Sequence, residues 1–280
     1  MNVLGIVSSP RRAGNSELAV KEIFRSLPAD WNRRMVRLNE LNIKYCTACY
    51  ACVPAEKKCK IDDDFDFFLD QVRWADKVVI AAPSYFMSSH TAIKNVNDRF
   101  LSILNNHDEF KHKDCVFIAP YGRPGQAGMV KEAMTIFSRK LNLRLVDCDV
   151  VLAANPGDTV KGDNMQILRR LAASLIAPPA KPFAPEDELL CPYCYGGALT
   201  LKTDGSWTCR VCSGFGGIEF KDGKFSLTYD PDFNMYVFTP QDLHAHGVYL
   251  TEMKKMFLEN KDKIKELQAG YADEDFWVRP

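Results

Sequence analysis

Eight of the ten cysteines lie in two groups of four, and cysteine thiolates grouped in this way are typical metal ligands. The first cysteine quartet consists of Cys46, Cys49, Cys52 and Cys59, in the pattern C-x2-C-x2-C-x6-C. Three cysteines at this close spacing can wrap one corner of an iron–sulfur cubane and the fourth can close it, which favours a [4Fe–4S] cluster. Structural zinc, which generally uses two separate C-x2-C hairpins, and free thiols are the alternatives.

The second cysteine quartet consists of Cys191, Cys194, Cys209 and Cys212, two C-x2-C pairs separated by fourteen residues. This spacing is typical of a zinc ribbon, although it falls one residue short of the usual window, and a rubredoxin-like single iron is the alternative. Each pair runs into glycines, which we expect to supply left-handed backbone that turns N–H groups toward the sulfurs: Gly196, Gly197 and Gly214. Residues 181–230 carry five basic and seven acidic side chains, so we expect a structural or protein-binding role and no binding to nucleic acid.

The segment from Ser8 to Ser16 joins an apolar run to an amphipathic stretch and is rich in groups that bind phosphate. It contains hydroxyls, an amide, two arginines and the free N–H groups of a helix start. It lacks the Gly-Lys-Ser/Thr ending of a Walker loop and the G-x-G-x-x-G pattern of a dinucleotide-binding turn. The segment is therefore either an anion site or an ordinary helix start with surface arginines.

Two later loops follow apolar runs in the same way. In residues 83–90 polar and aromatic side chains alternate, which suits a flat heteroaromatic ring that needs both stacking and hydrogen bonds. In residues 121–126 two glycines permit close approach of a ligand to the backbone, although a plain surface turn would have the same composition.

These loops are positioned by a regular alternation of short apolar runs and amphipathic segments. We predict strands over residues 3–7, 34–38, 77–82, 115–119 and 144–152. We predict helices over residues 16–27, from 62 onward, and over 91–104, 127–141 and 163–176. Five such units predict an α/β domain with a doubly wound, five-stranded parallel sheet, whose ligands bind beyond the carboxyl ends of the strands.

The chain divides into four parts by composition. Residues 1–177 form the α/β domain, with the first cysteine quartet in a loop inserted at 46–59. Residues 178–188 form a proline-rich linker, and residues 189–229 form a small zinc-ribbon-like or rubredoxin-like β module around the second cysteine quartet. Residues 230–280 form a tail with an amphipathic helix at 250–267.

Composition and charge argue against several classes of protein. The 280 residues carry 36 basic and 36 acidic side chains, so no basic excess favours binding to nucleic acid. No apolar run approaches the roughly 18 residues of a membrane span, and the N-terminus lacks the basic segment of a signal peptide. Because so many cysteines point to metal binding in a reducing compartment, we expect a cytoplasmic protein with neither a membrane nor a nucleic-acid partner.

The same loops carry three runs of residues that together resemble a known family: Ser9-Pro10-Arg11 with Gly14-Asn15-Ser16, Pro83 with Tyr85-Phe86, and Gly122 with Gly125-Gln126. They are similar to the flavodoxin-like NADPH-dependent FMN reductases. The first cysteine quartet, which follows Leu41-Asn42-Ile43-Lys44, narrows the resemblance to the iron–sulfur flavoproteins.

The resemblance implies a bound FMN and names the residues around it. The phosphate would lie near Ser9, Arg11, Asn15 and Ser16. The ring would lie along Gly122 and the segment Pro83, Ser84, Tyr85, Phe86, Met87 and Ser88. The chain departs from the family pattern at Ser8 and Met87, where the family usually has glycine.

The resemblance also implies an oxidoreductase that transfers electrons between ferredoxin or NAD(P)H and an acceptor, through FMN and the cluster. FMN exchanges electrons in pairs or singly, whereas a cluster carries one at a time, so together they join two-electron to one-electron chemistry. A homo-oligomer, a dimer or tetramer, is implied as well. Two alternatives stay open: an NAD(P)H-dependent FMN or quinone reductase without a cluster, and a non-catalytic flavin-binding scaffold that acts through the second module.

Overall fold

The computed structural model describes residues 1–53, 58–104, 106–178, 188–230, 232, 240–271 and 278. The proline-rich linker predicted at 178–188 lies outside the described residues except for its first and last positions. Parts of the predicted tail, at 231, 233–239, 272–277 and 279–280, lie outside them as well.

Within the described part of residues 1–152, the strands are β1 (Asn2–Val7), β2 (Asn32–Arg37), β3 (Lys77–Ala81), β4 (Ser84–Tyr85), β5 (Ser88–Ser89), β6 (Asp114–Tyr121) and β7 (Arg144–Leu152). Five of them form a parallel sheet in the order β2-β1-β3-β6-β7, and β4 pairs with β5 as a short antiparallel hairpin. β1, β3 and β6 are almost wholly buried apolar runs, as expected for strands covered on both faces. The predicted doubly wound, five-stranded sheet is confirmed, with the strand order of flavodoxin.

Helices cover both faces of this sheet: α1 (Asn15–Arg25), α2 (Phe65–Trp74), α3 (Thr91–Arg99), α4 (Val130–Lys140) and α5 (Asn164–Ile176). Successive residues of β1 point to opposite faces. Val3 belongs to the core shared with α1 and α5, whereas Leu4 belongs to the core shared with α2, α3 and α4. These two layers of helices leave the carboxyl ends of the strands uncovered. The predicted binding loops begin at these ends.

The ends of some elements differ from the sequence-based prediction. The helix predicted over 91–104 ends at Arg99 and continues as a 3-10 helix over Phe100–Ile103. The helix predicted from residue 127 begins at Val130, because Gly128 has a left-handed φ of 62° that does not fit a helix. The strand predicted from residue 34 begins at Asn32.

A second, antiparallel sheet has the order β11-β10-β9-β8: β8 (Leu199–Leu201), β9 (Ser206–Cys209), β10 (Phe215–Lys221) and β11 (Lys224–Tyr229). Its buried core is small and consists of the second cysteine quartet with Trp207 and Val211. A core of this size usually needs a metal for stability. The module contacts α4, where the Gly197 N–H donates to Glu132 Oε1 over 3.1 Å and Ile136 packs against the small core.

The predicted C-terminal helix is present as two helices, α6 (Pro240–Glu259) and α7 (Lys261–Ala269). They meet at Asn260, whose side-chain amide donates to the Met256 carbonyl oxygen over 2.8 Å. The helical region therefore begins before the predicted residue 250 and is interrupted within the predicted range. Residues 251–263 are all exposed. Among the described residues, no helix combines the length and the apolar composition that crossing a bilayer requires.

Candidate functional site

The loop between β1 and α1 places two serine hydroxyls and a helix N-terminus at the carboxyl edge of the parallel sheet. Ser9 and Ser16 are buried, and Arg11 is exposed. Ser9 Oγ accepts the backbone N–H of Arg11 over 3.3 Å, which curls the loop. Because α1 begins at Asn15, the free N–H groups of its first turn lie beside these hydroxyls. Such groups together favour an anionic ligand.

Glu17 and Arg37 hold this loop in place. The Glu17 carboxylate accepts hydrogen bonds from Lys21 Nζ (2.5 Å), the Ala13 N–H (2.7 Å) and Arg37 Nη2 (2.6 Å). Arg37 in turn donates to two loop carbonyl oxygens, those of Ser9 (2.8 Å) and Arg11 (3.2 Å). The hydrogen bond from Lys21, with those from Ala13 and Arg37, lowers the pKa of Glu17 to about 2. Glu17 is therefore ionised at neutral pH. Sequence analysis missed both residues, because Arg37 lies 20 residues after Glu17 and their pairing follows no local pattern.

The Asn15 side chain joins the same loop to the loop after β7. Its Nδ2 donates to the carbonyl oxygens of Ala153 (2.8 Å) and Asn155 (2.9 Å), and its Oδ1 accepts the Gly157 N–H (2.9 Å). The side-chain amide is therefore engaged on protein backbone. What Asn15 offers to a phosphate is its own backbone N–H in the first turn of α1.

These loops border a cavity of about 220 Å³ at the carboxyl edge of the sheet. Its wall includes eight of the predicted residues: Ser9, Arg11, Asn15, Ser16, Pro83, Ser84, Tyr85 and Gly122. It also includes five residues outside the predicted set: Gly14, Pro120, Tyr121, Ala153 and Ala154. The two alanines could have been found from the sequence, because they follow the fifth strand and so reach the same edge.

The other residues predicted beside the ring, Phe86, Met87 and Ser88, belong to the β4–β5 hairpin and are not among the described residues of the cavity wall. Phe86 is fully exposed at the tip. Phe86 and Met87 have φ values of 45° and 67°, the left-handed pair of a type I′ turn. Glycine at position 87, which is usual in the similar family, suits this backbone better than methionine does.

The segment before α4 fixes the position of this hairpin. The Met129 N–H donates to the Met87 carbonyl oxygen over 2.7 Å, and Ser84 Oγ donates to the Ala127 carbonyl oxygen over 2.8 Å. A Cβ atom added at Gly128 would lie 2.2 Å from the Met87 carbonyl oxygen. Only glycine therefore permits this approach, and the hairpin is held against the start of α4.

The groups around the cavity fit the phosphate end of FMN. Two buried hydroxyls, an exposed guanidinium and a helix N-terminus supply hydrogen-bond donors and positive charge for a phosphate. Ser8, next to Ser9, is fully buried, and its Oγ has no hydrogen-bond partner among the described residues. A Cβ atom added at Gly122 would meet no described atom within 4 Å, so space above this backbone is open to a ligand.

The first cysteine quartet lies between β2 and α2, on a loop that begins at the same edge of the sheet. Ala48 and Tyr50 have left-handed φ values of 50° and 53°. Residues in this conformation direct successive N–H groups into a concave surface that binds anionic groups. The Ala51 N–H and the Thr47 side chain donate to the Cys49 sulfur and lower the pKa of its thiol.

Among the described residues, the sulfurs of the first quartet are spaced more widely than those of the second. Burial, and then the neighbouring charges of Cys59, Cys49 and Cys46, raise the pKa of the Cys52 thiol. Across the described chain, the second quartet is the one whose sulfurs come within 4.8 Å of one another. A cubane places iron and sulfide between its ligands, so its thiolates are further apart than those around one ion.

The second cysteine quartet forms a compact, buried group that could hold a metal ion. Its four Sγ atoms lie within 4.8 Å of one another, with Cys191–Cys212 at 3.5 Å and Cys194–Cys209 at 3.6 Å. Zinc–sulfur bonds of about 2.3 Å in a tetrahedron require sulfur separations close to these values. Hydrogen bonding with the other thiols, Cys191 first, lowers the pKa of Cys209, which favours the thiolate that a metal needs.

The left-handed residues of this site are not the glycines that we expected from the sequence. Gly196, Gly197 and Gly214 lie outside the left-handed region, and Tyr195 and Ser213 adopt it with φ values of 63° and 62°. The turn of each knuckle therefore comes one residue earlier than predicted. Gly214 is needed for space, because an added Cβ atom would lie 2.3 Å from the Tyr193 ring.

The sequence matches the family model described as NADPH-dependent FMN reductase over residues 1–157. Two curated relatives named iron–sulfur flavoprotein are each 32% identical to it. One, from Methanocaldococcus jannaschii, aligns over 100 residues, which is 35% of this chain and 51% of the relative. The other, from Archaeoglobus fulgidus, aligns over 105 residues, 36% of this chain and 46% of the relative. The chain thus spans about half the length of the curated relatives that it matches.

A solved structure described as a flavone reductase is similar over the whole chain. The two superpose with a TM-score of 0.77 at 20% sequence identity, and the match covers 100% of each chain. At this identity the similarity shows a shared fold. The fold shared in this way includes the parallel sheet, the second module and the C-terminal helices.

Proposed function

This chain belongs to the NADPH-dependent FMN reductase family. We propose that it is an FMN-dependent oxidoreductase that transfers electrons between NAD(P)H or ferredoxin and an acceptor, through FMN and a [4Fe–4S] cluster. The observation that carries this proposal is the position of two loops. β1 and β2 pair in parallel over all six residues of each strand, so the loops that follow them start side by side. An ion pair between Arg12 and Glu40, at 3.2 Å, links the two loops.

Within the proposal, the β1–α1 loop holds the FMN phosphate. The Ser9 and Ser16 hydroxyls and the first N–H groups of α1 donate hydrogen bonds, and the exposed Arg11 supplies a positive charge. Glu17 and Arg37 keep these donors in place by fixing the loop backbone. Tyr85 and Gly122 border the cavity on its other side and leave room for the ring.

When bound, FMN supplies hydride chemistry with a nicotinamide and single-electron exchange with a cluster. The chain contributes the fixed positions of the loops around the cofactor. Hydrogen bonds hold the β4–β5 hairpin to the segment before α4 and the β1–α1 loop to Arg37 of β2. The cavity is therefore preorganised. The first cysteine quartet would hold the cluster at the neighbouring loop, through Cys46, Cys49, Cys52 and Cys59.

Analysis of the anaerobically purified full chain tests this proposal. We expect one FMN per chain, with about four acid-labile sulfides and about four irons held by the first cysteine quartet. Cys52→Ser should lower the sulfide content and leave FMN bound, whereas Cys209→Ser, in the second quartet, should leave the sulfide unchanged. FMN without sulfide would favour the reductase that lacks a cluster. Absence of both would overturn the proposal.

Mixing experiments identify the electron donor. NADH, NADPH or reduced ferredoxin is added anaerobically, and loss of the flavin absorbance near its visible maximum is followed with time. At least one donor should reduce the flavin within the turnover time of an oxidoreductase. If none does, the non-catalytic flavin-binding scaffold is favoured.

For the second cysteine quartet we propose zinc with a structural role. The supporting observations are the tetrahedral sulfur spacing, the complete burial and the dependence of the small core on these four side chains. Metal analysis of Cys52→Ser, which lacks the cluster, should give one zinc per chain. One iron, with the visible colour of ferric thiolate, would favour the rubredoxin-like alternative.

We propose in addition a homo-oligomer, and the tail supports this assignment. The described part of α6 and α7 exposes several large apolar side chains: Val248, Tyr249, Met253, Met256, Phe257 and Leu258. A helix with so little burial is only marginally stable alone, so a second copy that covers it would stabilise it. An apolar cavity of about 590 Å³ between α6 and the first cysteine quartet would be covered at the same time.

Light scattering of the full chain tests the oligomer. The wild type should give the mass of a dimer or tetramer, and Met253→Asp with Phe257→Asp should lower that mass. Lys265→Asp, which changes an exposed residue of α7, is the matched control. A monomeric wild type would overturn the assignment. The cytoplasmic location and the absence of nucleic-acid partners stay predictions from composition.

A further inference from the structure

A buried arginine contacts the last cysteine of the first quartet. Arg99, at the end of α3, is 2% exposed. Its Nη2 lies 3.4 Å from Cys59 Sγ, within hydrogen-bonding distance of a sulfur acceptor. The Cys49 sulfur accepts from the Ala51 N–H and the Thr47 side chain, both uncharged donors, so the contact of Arg99 with Cys59 is of a different, charged kind.

One ion pair keeps Arg99 in this position. Nη1 donates to Asp63 Oδ2 at 2.5 Å, Nη2 lies 3.2 Å from Asp63 Oδ1, and both side chains are 1% exposed. The guanidinium also lies 4.6 Å from the centre of the Phe65 ring. A charge buried in this way needs its partners, so the arginine is unable to turn away into solvent.

The same pair fixes both ends of the quartet loop. The Lys44 N–H donates to Asp63 Oδ2 over 2.9 Å, and the Lys44 carbonyl oxygen accepts from Arg99 Nη1 over 3.0 Å. Lys44 comes two residues before Cys46, at the start of the loop, and Cys59 ends it. The position of the fourth cysteine, separated from the third by six residues, therefore depends on the folded core of the domain and not on the loop alone.

We propose that Arg99 is a positioning residue of the cluster, which holds Cys59 in place and makes the cluster easier to reduce by hydrogen bonding to its sulfur. This inference rests on the proposed function, because it assumes a [4Fe–4S] cluster in the first quartet. Reduction adds one electron, taken from the donor, and makes the thiolate-bound cluster more negative without forming or breaking a bond. A hydrogen bond and a nearby positive charge stabilise the more negative form, so they raise the midpoint potential.

Burial is what gives Arg99 more effect than the lysines beside Cys59. The Lys58 side chain is 87% exposed, and Lys60 is also exposed, so water and salt screen both charges. The Arg99 guanidinium is shielded from solvent and directed at the sulfur. Its contribution should therefore persist at high salt.

A redox titration of the full chain, followed by electron paramagnetic resonance and visible absorbance, tests the inference. The informative variant is Arg99→Gln with Asp63→Asn, because it removes both charges and leaves no buried charge unpaired. We expect its cluster to be about tenfold harder to reduce, a shift of about 59 mV to lower potential for one electron. Arg99→Lys keeps the charge and should lie between this variant and the wild type.

The matched control neutralises a second group of paired charges in the same domain, Arg144→Gln and Lys77→Gln with Asp114→Asn, because Asp114 pairs with both cations. Arg144 and Asp114 begin β7 and β6, at the amino edge of the sheet, and Asp114 is buried. The midpoint potential of the cluster in this control variant should equal that of the wild type. Loss of sulfide from Arg99→Gln with Asp63→Asn but not from Arg99→Lys would support the positioning role. An intact cluster with an unchanged potential in both Arg99 variants would overturn it, whereas a wild type without sulfide would overturn the proposed function instead.

Discussion

Replacing Glu17 by glutamine tests whether one ionised side chain stabilises the β1–α1 loop. Glutamine has nearly the shape of the protonated acid and, like it, lacks the negative charge of the ionised Glu17. In Glu17→Gln, Arg37, whose side chain is 13% exposed, would keep one charged partner among the described residues, the more exposed Glu40. The loop carbonyl oxygens that Arg37 binds would then be held less firmly.

The size of the effect follows from the pKa of Glu17. Lys21, with Ala13 and Arg37, lowers this pKa from 4.5 to about 2 in the folded chain. At pH 7 such a shift stabilises the fold by up to about 3 kcal/mol. Because the folded pKa is the lower one, this stabilisation is complete above pH 4.5 and is lost as the pH falls toward 2. By pH 3 about 1 kcal/mol of it should remain.

Urea unfolding of the wild type and Glu17→Gln at pH 7 and at pH 3 measures this difference. The free energies of unfolding should differ by about 3 kcal/mol at pH 7 and by about 1 kcal/mol at pH 3. Glu22→Gln on the same helix is the control, since its partner Arg25 has a side chain that is 79% exposed. That substitution should cost less than about 0.5 kcal/mol.

Two results would refute the reasoning. Equal stability of the wild type and Glu17→Gln at pH 7 would mean that the carboxylate does not hold the loop. A difference that is the same at both pH values would mean that the lost stability comes from packing, because a neutral amide and a protonated acid should behave alike at low pH.

Three further predictions concern other residues of the site. Met87→Gly should stabilise the fold by about 1 kcal/mol in urea unfolding, because Met87 has a φ of 67°, which favours glycine; an equal or lower stability would contradict it. Removing the metal from the second cysteine quartet with a chelator should expose the fully buried Trp207 and shift its fluorescence to longer wavelength, and an unchanged spectrum after metal loss would contradict the structural role. Asn15→Ala should lower the free energy of unfolding by about 1 kcal/mol, because it removes the partners of half-buried backbone groups in the β7–α5 loop; a cost below about 0.5 kcal/mol would mean that water replaces the amide.

The parallel sheet and the two cysteine quartets could be predicted from the sequence, because each has a local pattern. Apolar runs such as residues 3–7 and 78–81 become central strands, since burial on both faces favours a nearly continuous apolar sequence. The C-x2-C spacing places two sulfurs on one tight turn, so Cys191 with Cys194 and Cys209 with Cys212 form half-sites before the chain folds further.

Features that depend on distant partners could not be predicted. Arg99 lies in an ordinary amphipathic helix, and its burial depends on Asp63, 36 residues earlier. The Phe86–Met87 pair lacks the Asn–Gly sequence of a type I′ turn, and contacts with Gly128 and Met129 stabilise a backbone that its own residues disfavour. Tertiary contacts determine both arrangements, and no short sequence window contains them.

The Asn15 amide affects how the chain matures during synthesis. Its partners Ala153, Asn155 and Gly157 lie 138 to 142 residues later in the sequence. At about 5–20 residues per second, a ribosome needs roughly 7–30 s to translate that interval. Until the fifth strand and its following loop emerge, the nascent β1–α1 loop lacks one wall of its cavity, formed by Ala153 and Ala154. If FMN binds in this cavity as proposed, its loading follows translation of the fifth strand and the loop after it.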